Sequence, residues 1–324
     1  MGPVATWFPD RACPIPELPE LGEWGAAQRA QLLALGVDEV RDAGPSTEVE
    51  LATRAARDAM DAVDLVASDV DGLLLVEGRV REYLLASEAT RLQAAIGAHR
   101  ALTMGIGELG CVSVSAALLV AASLLHSQPS WRTVLLAMGA RTPTARRFRP
   151  PMTVLGDGAA AVVISRDPIG PYRILDHRLT SDGRYSDLFH IRYRDVPTSQ
   201  WWEECTDVNT YSFQLAVESR NRFRTMADEL LKTADVPWSD LSSVIMQNLS
   251  VGAFAFWRDA LDVDIDEVCR RNLAAFGHLG SIDVLLNLQH AASRLRRGDM
   301  VLMLNSSPVA AWSTALLEYV DGGE

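Results

Sequence analysis

Cys111 closes a run of small residues, Met104-Gly-Ile-Gly-Glu-Leu-Gly-Cys, and a nearly uncharged apolar stretch follows it to Leu125. A thiol at the N-terminus of a helix sits among free amides at the positive end of the helix dipole. Both favour the thiolate, which is the nucleophilic form. A second turn, Ala274-Ala-Phe-Gly-His-Leu-Gly-Ser-Ile-Asp283, carries His278, with Asp283 five residues further on at the start of another helix. A carboxylate that reaches one imidazole nitrogen fixes the tautomer and leaves the other nitrogen free as a base. Cys111, His278 and Asp283 therefore make up a nucleophile, a base and a group that orients the base. Each has a plainer reading when taken alone: a buried structural cysteine, a turn histidine, and a first-turn acid favoured by the dipole. The functional reading depends on the three meeting.

The surrounding elements decide whether they can meet. A segment apolar all round belongs inside a fold, and about 14 helical residues fall short of the roughly 20 that span a bilayer, so Cys111 heads a buried central helix. Thr47 is placed to cap a helix running to about residue 66. Residues 71–76, 133–138 and 156–165 read as buried strands, the last preceded by a glycine turn, and 26–35 and 82–96 read as helices. The segment 141–151, with four arginines and three prolines, reads as a surface or dimer loop. The second half repeats this order: helix 213–233, strand 243–246, helix 251–261, the glycine turn at 276–280, a helix to 295 and strand 300–304. Leu109-Gly-Cys111 aligns with Leu279-Gly-Ser281, and Ala121-Ala-Ser123 with Ala291-Ala-Ser293. Self-similarity of this kind implies two related halves, 1–168 and 169–324, whose glycine turns meet at the centre.

At 324 residues the chain is long enough for two fused halves, and with 48% hydrophobic residues it is globular rather than disordered. A net charge of −12 disfavours nucleic-acid binding, which needs a basic surface. The four cysteines are scattered without metal-ligand or disulfide-framework spacing. The N-terminal residues lack the basic and apolar regions of a secretion signal, so a cytoplasmic location is expected.

Four motifs carry a resemblance to a known family: Gly36-Val-Asp-Glu-Val-Arg41, Gly110-Cys-Val-Ser-Val-Ser115, Leu155-Gly-Asp-Gly-Ala-Ala-Ala-Val162 and Phe276-Gly-His278. In these the chain resembles the thiolase-fold β-ketoacyl-acyl-carrier-protein synthase III enzymes over nearly its whole length. The resemblance implies an α/β fold of five layers, α-β-α-β-α, built from two similar halves, and usually a homodimer. It implies a cysteine that accepts an acyl group from a coenzyme A or carrier-protein thioester, with no bound cofactor or metal.

The departures are as informative as the matches. The family's condensing members use a His and an Asn to stabilise the enolate formed when a malonyl thioester loses CO₂. Here Gln247-Asn-Leu-Ser250 stands where His-Gln-Ala-Asn is expected, and His278 stands in place of the Asn. Glutamine carries no imidazolium charge, which compromises the decarboxylative machinery. The His–Asp arrangement instead resembles the acyltransferases of natural-product pathways, such as those of polyketides and antibiotics, which pass an intact acyl group to a hydroxyl or thiol. The acceptor is then a second carrier protein or a small-molecule intermediate. The rivals are a condensing or starter-unit synthase and a noncatalytic thiolase-fold partner subunit. The oxyanion is expected on the amides of Cys111 and of Ser306 in the loop 305–307. Gln247, His190 and Trp201 are candidate pocket residues. Arg41, Arg220, Arg222, Arg224 and Arg258 are candidates for docking an acidic carrier protein.

Overall fold

The computed structural model describes residues 1–144 and 146–321. Two mixed sheets organise them. The five-stranded sheet runs Ala5–Trp7, Gly158–Ser165, Thr133–Ala140, Gly72–Val76, Leu102–Ile106. Its last three strands are parallel, and the first two each pair antiparallel with their neighbours. The four-stranded sheet runs Tyr172–Ser181, Ala311–Tyr319, Met300–Ser307, Leu241–Met246, with only the last pair parallel. Apart from the extra strand Leu102–Ile106, the two sheets share one order and one set of directions.

The strands Gly72–Val76 and Thr133–Ala140 are buried on both faces, so they are apolar without alternation. Leu73, Leu75, Leu135 and Ala137 face an outer layer formed by helices Glu48–Asp61 and Glu88–Ile96. Leu74, Val76, Leu136 and Met138 face inward, onto Val114, Leu118 and Leu125 of helix Ser113–Ser127. Helix Asp283–Ala291 packs on the second sheet within the same core, and helix Ala216–Ala234 covers that sheet's far side. The result is helix, sheet, helix pair, sheet, helix: the five-layered thiolase fold.

Several local expectations shift. The helix expected from residue 82 begins at Glu88, capped by the Ser87 side chain. Residues 82–87 stay irregular, with Leu84 and Leu85 fully exposed and Leu85 at φ 65°. The small residues before Cys111 begin in an edge strand, Leu102–Ile106. Gly105 there serves close approach: a Cβ on it would lie 2.4 Å from the Glu77 carboxylate. Residues 305–307 complete the strand Met300–Ser307 and are not a loop. Thr47 forms a capping box with Glu50, but that helix ends at Asp61.

Candidate active site

The two glycine turns meet at the centre of the molecule. Gly110 and Gly280 adopt φ of 56° and 70°, backbone that favours glycine. Ser281 Oγ donates to the Gly110 carbonyl at 3.1 Å and fastens one turn to the other. Each turn then winds through a short 3₁₀ segment into its helix, Ser113–Ser127 or Asp283–Ala291. Cys111 lies in the first such segment, where amides have no partner within the helix.

His278 is held by its backbone. Its amide donates to the Val154 carbonyl at 2.8 Å, and its carbonyl accepts from Gly156 at 3.1 Å. Residue 156 must be glycine for this, since a Cβ would lie 2.1 Å from the Phe276 carbonyl. Asp157, next in that motif, accepts from the amides of Ala43 and Thr142 and pairs with Arg147 at 3.0 Å. The Gly-Asp-Gly segment is therefore a bracket that seats the His278 turn, and its carboxylate has no access to the chemistry.

The structure brings Cys111, His278 and Asp283 into one buried line. His278 Nε2 lies 3.3 Å from Cys111 Sγ, and Nδ1 lies 2.6 Å from Asp283 Oδ2. Asp283 also accepts from the amides of Leu279 and Asn248, each at 2.8 Å. Behind it, Asn287 donates to Asn248 Oδ1 and to the Met246 carbonyl, and Asn272 donates to Asn287. A buried polar network this nearly satisfied holds the carboxylate rigidly. Asn305 Nδ2 donates to the Cys111 carbonyl at 2.7 Å and secures the nucleophile turn from the other sheet.

The electrostatics favour an ion pair. Burial alone would push the Cys111 thiol up, but the charge and hydrogen bond of His278, with help from Arg149, hold it below its usual range. Burial likewise opposes charge on His278, yet Cys111 and Asp283 outweigh it and raise the imidazole to about 9. Cys269, equally buried but without a cationic partner, is pushed up to about 12 by burial.

Two cavities open at Cys111 and share only Cys111 and Pro308 in their walls. One, about 410 Å³, runs past Gln247, Ser306 and Trp257 to the half-exposed Phe256. The other, about 300 Å³, is lined by Val76, Met138 and Phe189, with Arg79, Arg149 and His190.

Other candidates are placed differently. The Ser306 amide already donates to Gln247 Oε1 at 3.2 Å, so it is not a free oxyanion donor. Trp201 donates to the Val196 carbonyl and packs edge-on to Tyr193, outside both cavities. His190 reaches the Arg-lined cavity, 3.6 Å from Glu204. The docking arginines do not gather into a free basic patch, because their own neighbours engage them. Arg41 pairs with Glu39, Arg222 with Glu218 and Asp182, Arg224 with Asp228 and the Leu261 carbonyl, and Arg258 with Asp259. Arg220 is exposed and, among the described residues, bonds only Asn221. Sequence reasoning missed Arg79 and Arg149, which lie in aperiodic segments. Arg149, assigned to a surface or dimer loop, is a wall of the cavity beside Cys111. It also missed the asparagine network: Asn272 and Asn287 look like ordinary helix polar residues, and Asn248 stands out only as part of the motif Gln247–Ser250.

A five-layered fold with a cysteine at the junction of two related sheets is the thiolase fold. Residues 108–183 match the family model described as 3-oxoacyl-[acyl-carrier-protein] synthase III. The β-ketoacyl-[acyl-carrier-protein] synthase III of Desulfotalea psychrophila is 24% identical over 301 residues, covering 88% of this chain and 89% of the relative. Among solved structures, ChlB3, described as an acyltransferase, superposes with a TM-score of 0.83 at 20% identity, covering 99% of this chain and 97% of ChlB3. FabH of Pseudomonas aeruginosa, a synthase III, gives 0.80 at 20% identity, covering 99% and 98%. The chain has the thiolase fold and is similar in sequence to the synthase III enzymes.

Proposed function

We propose that this protein moves an intact acyl group from a carrier-protein or coenzyme A thioester, through acyl-Cys111, to a hydroxyl or thiol acceptor. The observation that carries the reading is the unbroken line Cys111–His278–Asp283, with glutamine on the cavity wall where a condensing enzyme needs imidazole.

In the first half-reaction the Cys111 thiolate attacks the donor carbonyl. The new carbon–sulfur bond forms, the bond to pantetheine breaks, and the His278 imidazolium protonates the departing thiolate. Neutral His278, held by Asp283, then takes the acceptor's proton as its oxygen or sulfur attacks acyl-Cys111. Cys111 leaves as thiolate and the ion pair is restored. The Cys111 amide is the donor available to the tetrahedral oxyanion. The acceptor enters by the Gln247 cavity once pantetheine has left. Two related halves, 1–168 and 169–324, an acidic carrier-protein partner and a homodimer belong to the same reading, as do a cytoplasmic location and a natural-product pathway. The engaged arginines move carrier recognition toward the apolar rim near Phe213, Val217 and Phe256, all exposed.

The synthase III relatives favour the condensing alternative. Purified protein given a malonyl thioester distinguishes the two. Intact transfer leaves an adduct of full malonyl mass, whereas CO₂ release with formation of an acetoacetyl thioester, when an acetyl thioester is supplied as well, would establish condensing chemistry.

A further inference from the structure

The acyl-side cavity holds guanidinium nitrogens that the described residues leave without a hydrogen-bond partner. Arg79 Nη1 is closed to solvent and has no hydrogen-bond partner, and Nη2 has only a long 3.4 Å contact with the His278 carbonyl. Arg149, its side chain 9% exposed, places only Nε on Glu203, at 2.6 Å. Its two terminal nitrogens make no hydrogen bond among the described residues. A buried guanidinium left unpaired, as on Arg79, is costly, so a site that keeps it is shaped for an anion.

The nearby carboxylates do not fill that role. Glu203 is held by Arg149, Glu77 bonds Arg81, and Glu108 is exposed. Glu48 is the closest rival. Its Oε1 accepts from the amides of Arg79 and Arg141, and burial raises its carboxyl to about 7, so near neutrality it is only partly charged. It makes no salt bridge with the Arg79 guanidinium, and its own Oε2 is unpartnered.

We infer that the acyl group carried on Cys111 bears a carboxylate at its far end, received by Arg79 and Arg149, so that the donor is the monothioester of a short dicarboxylic acid. This rests on the acyl-transfer reading above. A cavity of about 300 Å³ suits a chain of a few carbons. The other source of negative charge on a donor is the phosphate of its pantetheine arm, so the test uses donors without phosphate.

Full-length protein is incubated with malonyl-pantetheine and with acetoacetyl-pantetheine, a neutral group of similar size. Loading is followed by intact mass. Wild type is expected to load malonyl at least about tenfold faster, the equivalent of one charge-assisted hydrogen bond. Arg79→Gln should bring the ratio near one, and Arg79→Lys should keep part of it. Because both arginines also interact with the Cys111 thiolate, the readout is the ratio of the two loading rates, which share that nucleophile, and not either rate alone. Equal or faster acetoacetyl loading by wild type would overturn the inference and leave acyl transfer standing. A preference that survives Arg79→Gln would remove Arg79 from recognition. Adduct formation with neither donor, nor with any other thioester, would overturn both readings.

Discussion

The front and back glycine turns are built almost alike. Leu109 and Leu279 have φ, ψ of −99°, 14° and −101°, 9°, each followed by a positive-φ glycine and a 3₁₀ turn. In each, the amide of the leucine donates to a side chain four residues on: Ser113 Oγ at 3.2 Å in front, Asp283 Oδ1 at 2.8 Å behind. The difference lies in what those capping side chains have left over. The serine hydroxyl completes the front turn and does no more. The aspartate has a second oxygen, and that oxygen holds His278. Conversely, the residue after the glycine is buried Cys111 in front and part-exposed Ser281 behind. One turn geometry thus carries different side chains at three equivalent positions: Glu108, Cys111 and Ser113 in front, His278, Ser281 and Asp283 behind.

Breaking the back turn should have the largest effect. His278→Ala is expected to lower acyl transfer by about 10⁴-fold. It also leaves Cys111 with burial and no imidazolium, so its thiol titrates above the usual range. Loading by the variant should then climb steadily with pH. In wild type it should plateau from the lowered Cys111 range up to about 9, above which His278 loses its proton. Stopped-flow loading across pH checks both slopes. Asp283→Asn keeps the shape but removes the charge, and should lower the turnover number by about 10³-fold. The front counterpart, Ser113→Ala, should cost about 1 kcal/mol of stability, read by chemical denaturation, with far less effect on turnover.

The two glycines sharpen the comparison further. Alanine at either is strained by about 1 kcal/mol. A Cβ at residue 110 meets Ser307 Cβ at 3.1 Å, whereas at residue 280 the nearest atom is Arg79 Nη2 at 3.7 Å. Gly110→Ala should therefore destabilise by about 1 kcal/mol more than Gly280→Ala. Smallest of all, Ser281→Ala removes only the 3.1 Å bond between the turns and should cost about 0.5 kcal/mol.

The line of Cys111, His278 and Asp283 was legible because its signals are local: small residues before an apolar helix, and a five-residue step from imidazole to carboxylate. The repeated order of elements likewise exposed the two-sheet plan. Arg79 and Arg149 were not legible, since charges in aperiodic segments look the same in sequence whether they turn to solvent or to a cavity. Trp201 and the arginines of helix Ala216–Ala234 were misplaced for the same reason: sequence shows a cluster, but only packing shows which carboxylate each member already faces. The Ser306 amide depended on a partner, Gln247, 59 residues away.

The most direct test of acyl transfer through Cys111 is intact mass after incubation with a panel of acyl-pantetheine thioesters, for wild type and Cys111→Ala side by side. The account predicts one acyl group per wild-type chain, carried on the peptide containing Cys111, and none on the variant. An acyl group retained by Cys111→Ala, or found on Cys13, Cys205 or Cys269 in wild type, would contradict it.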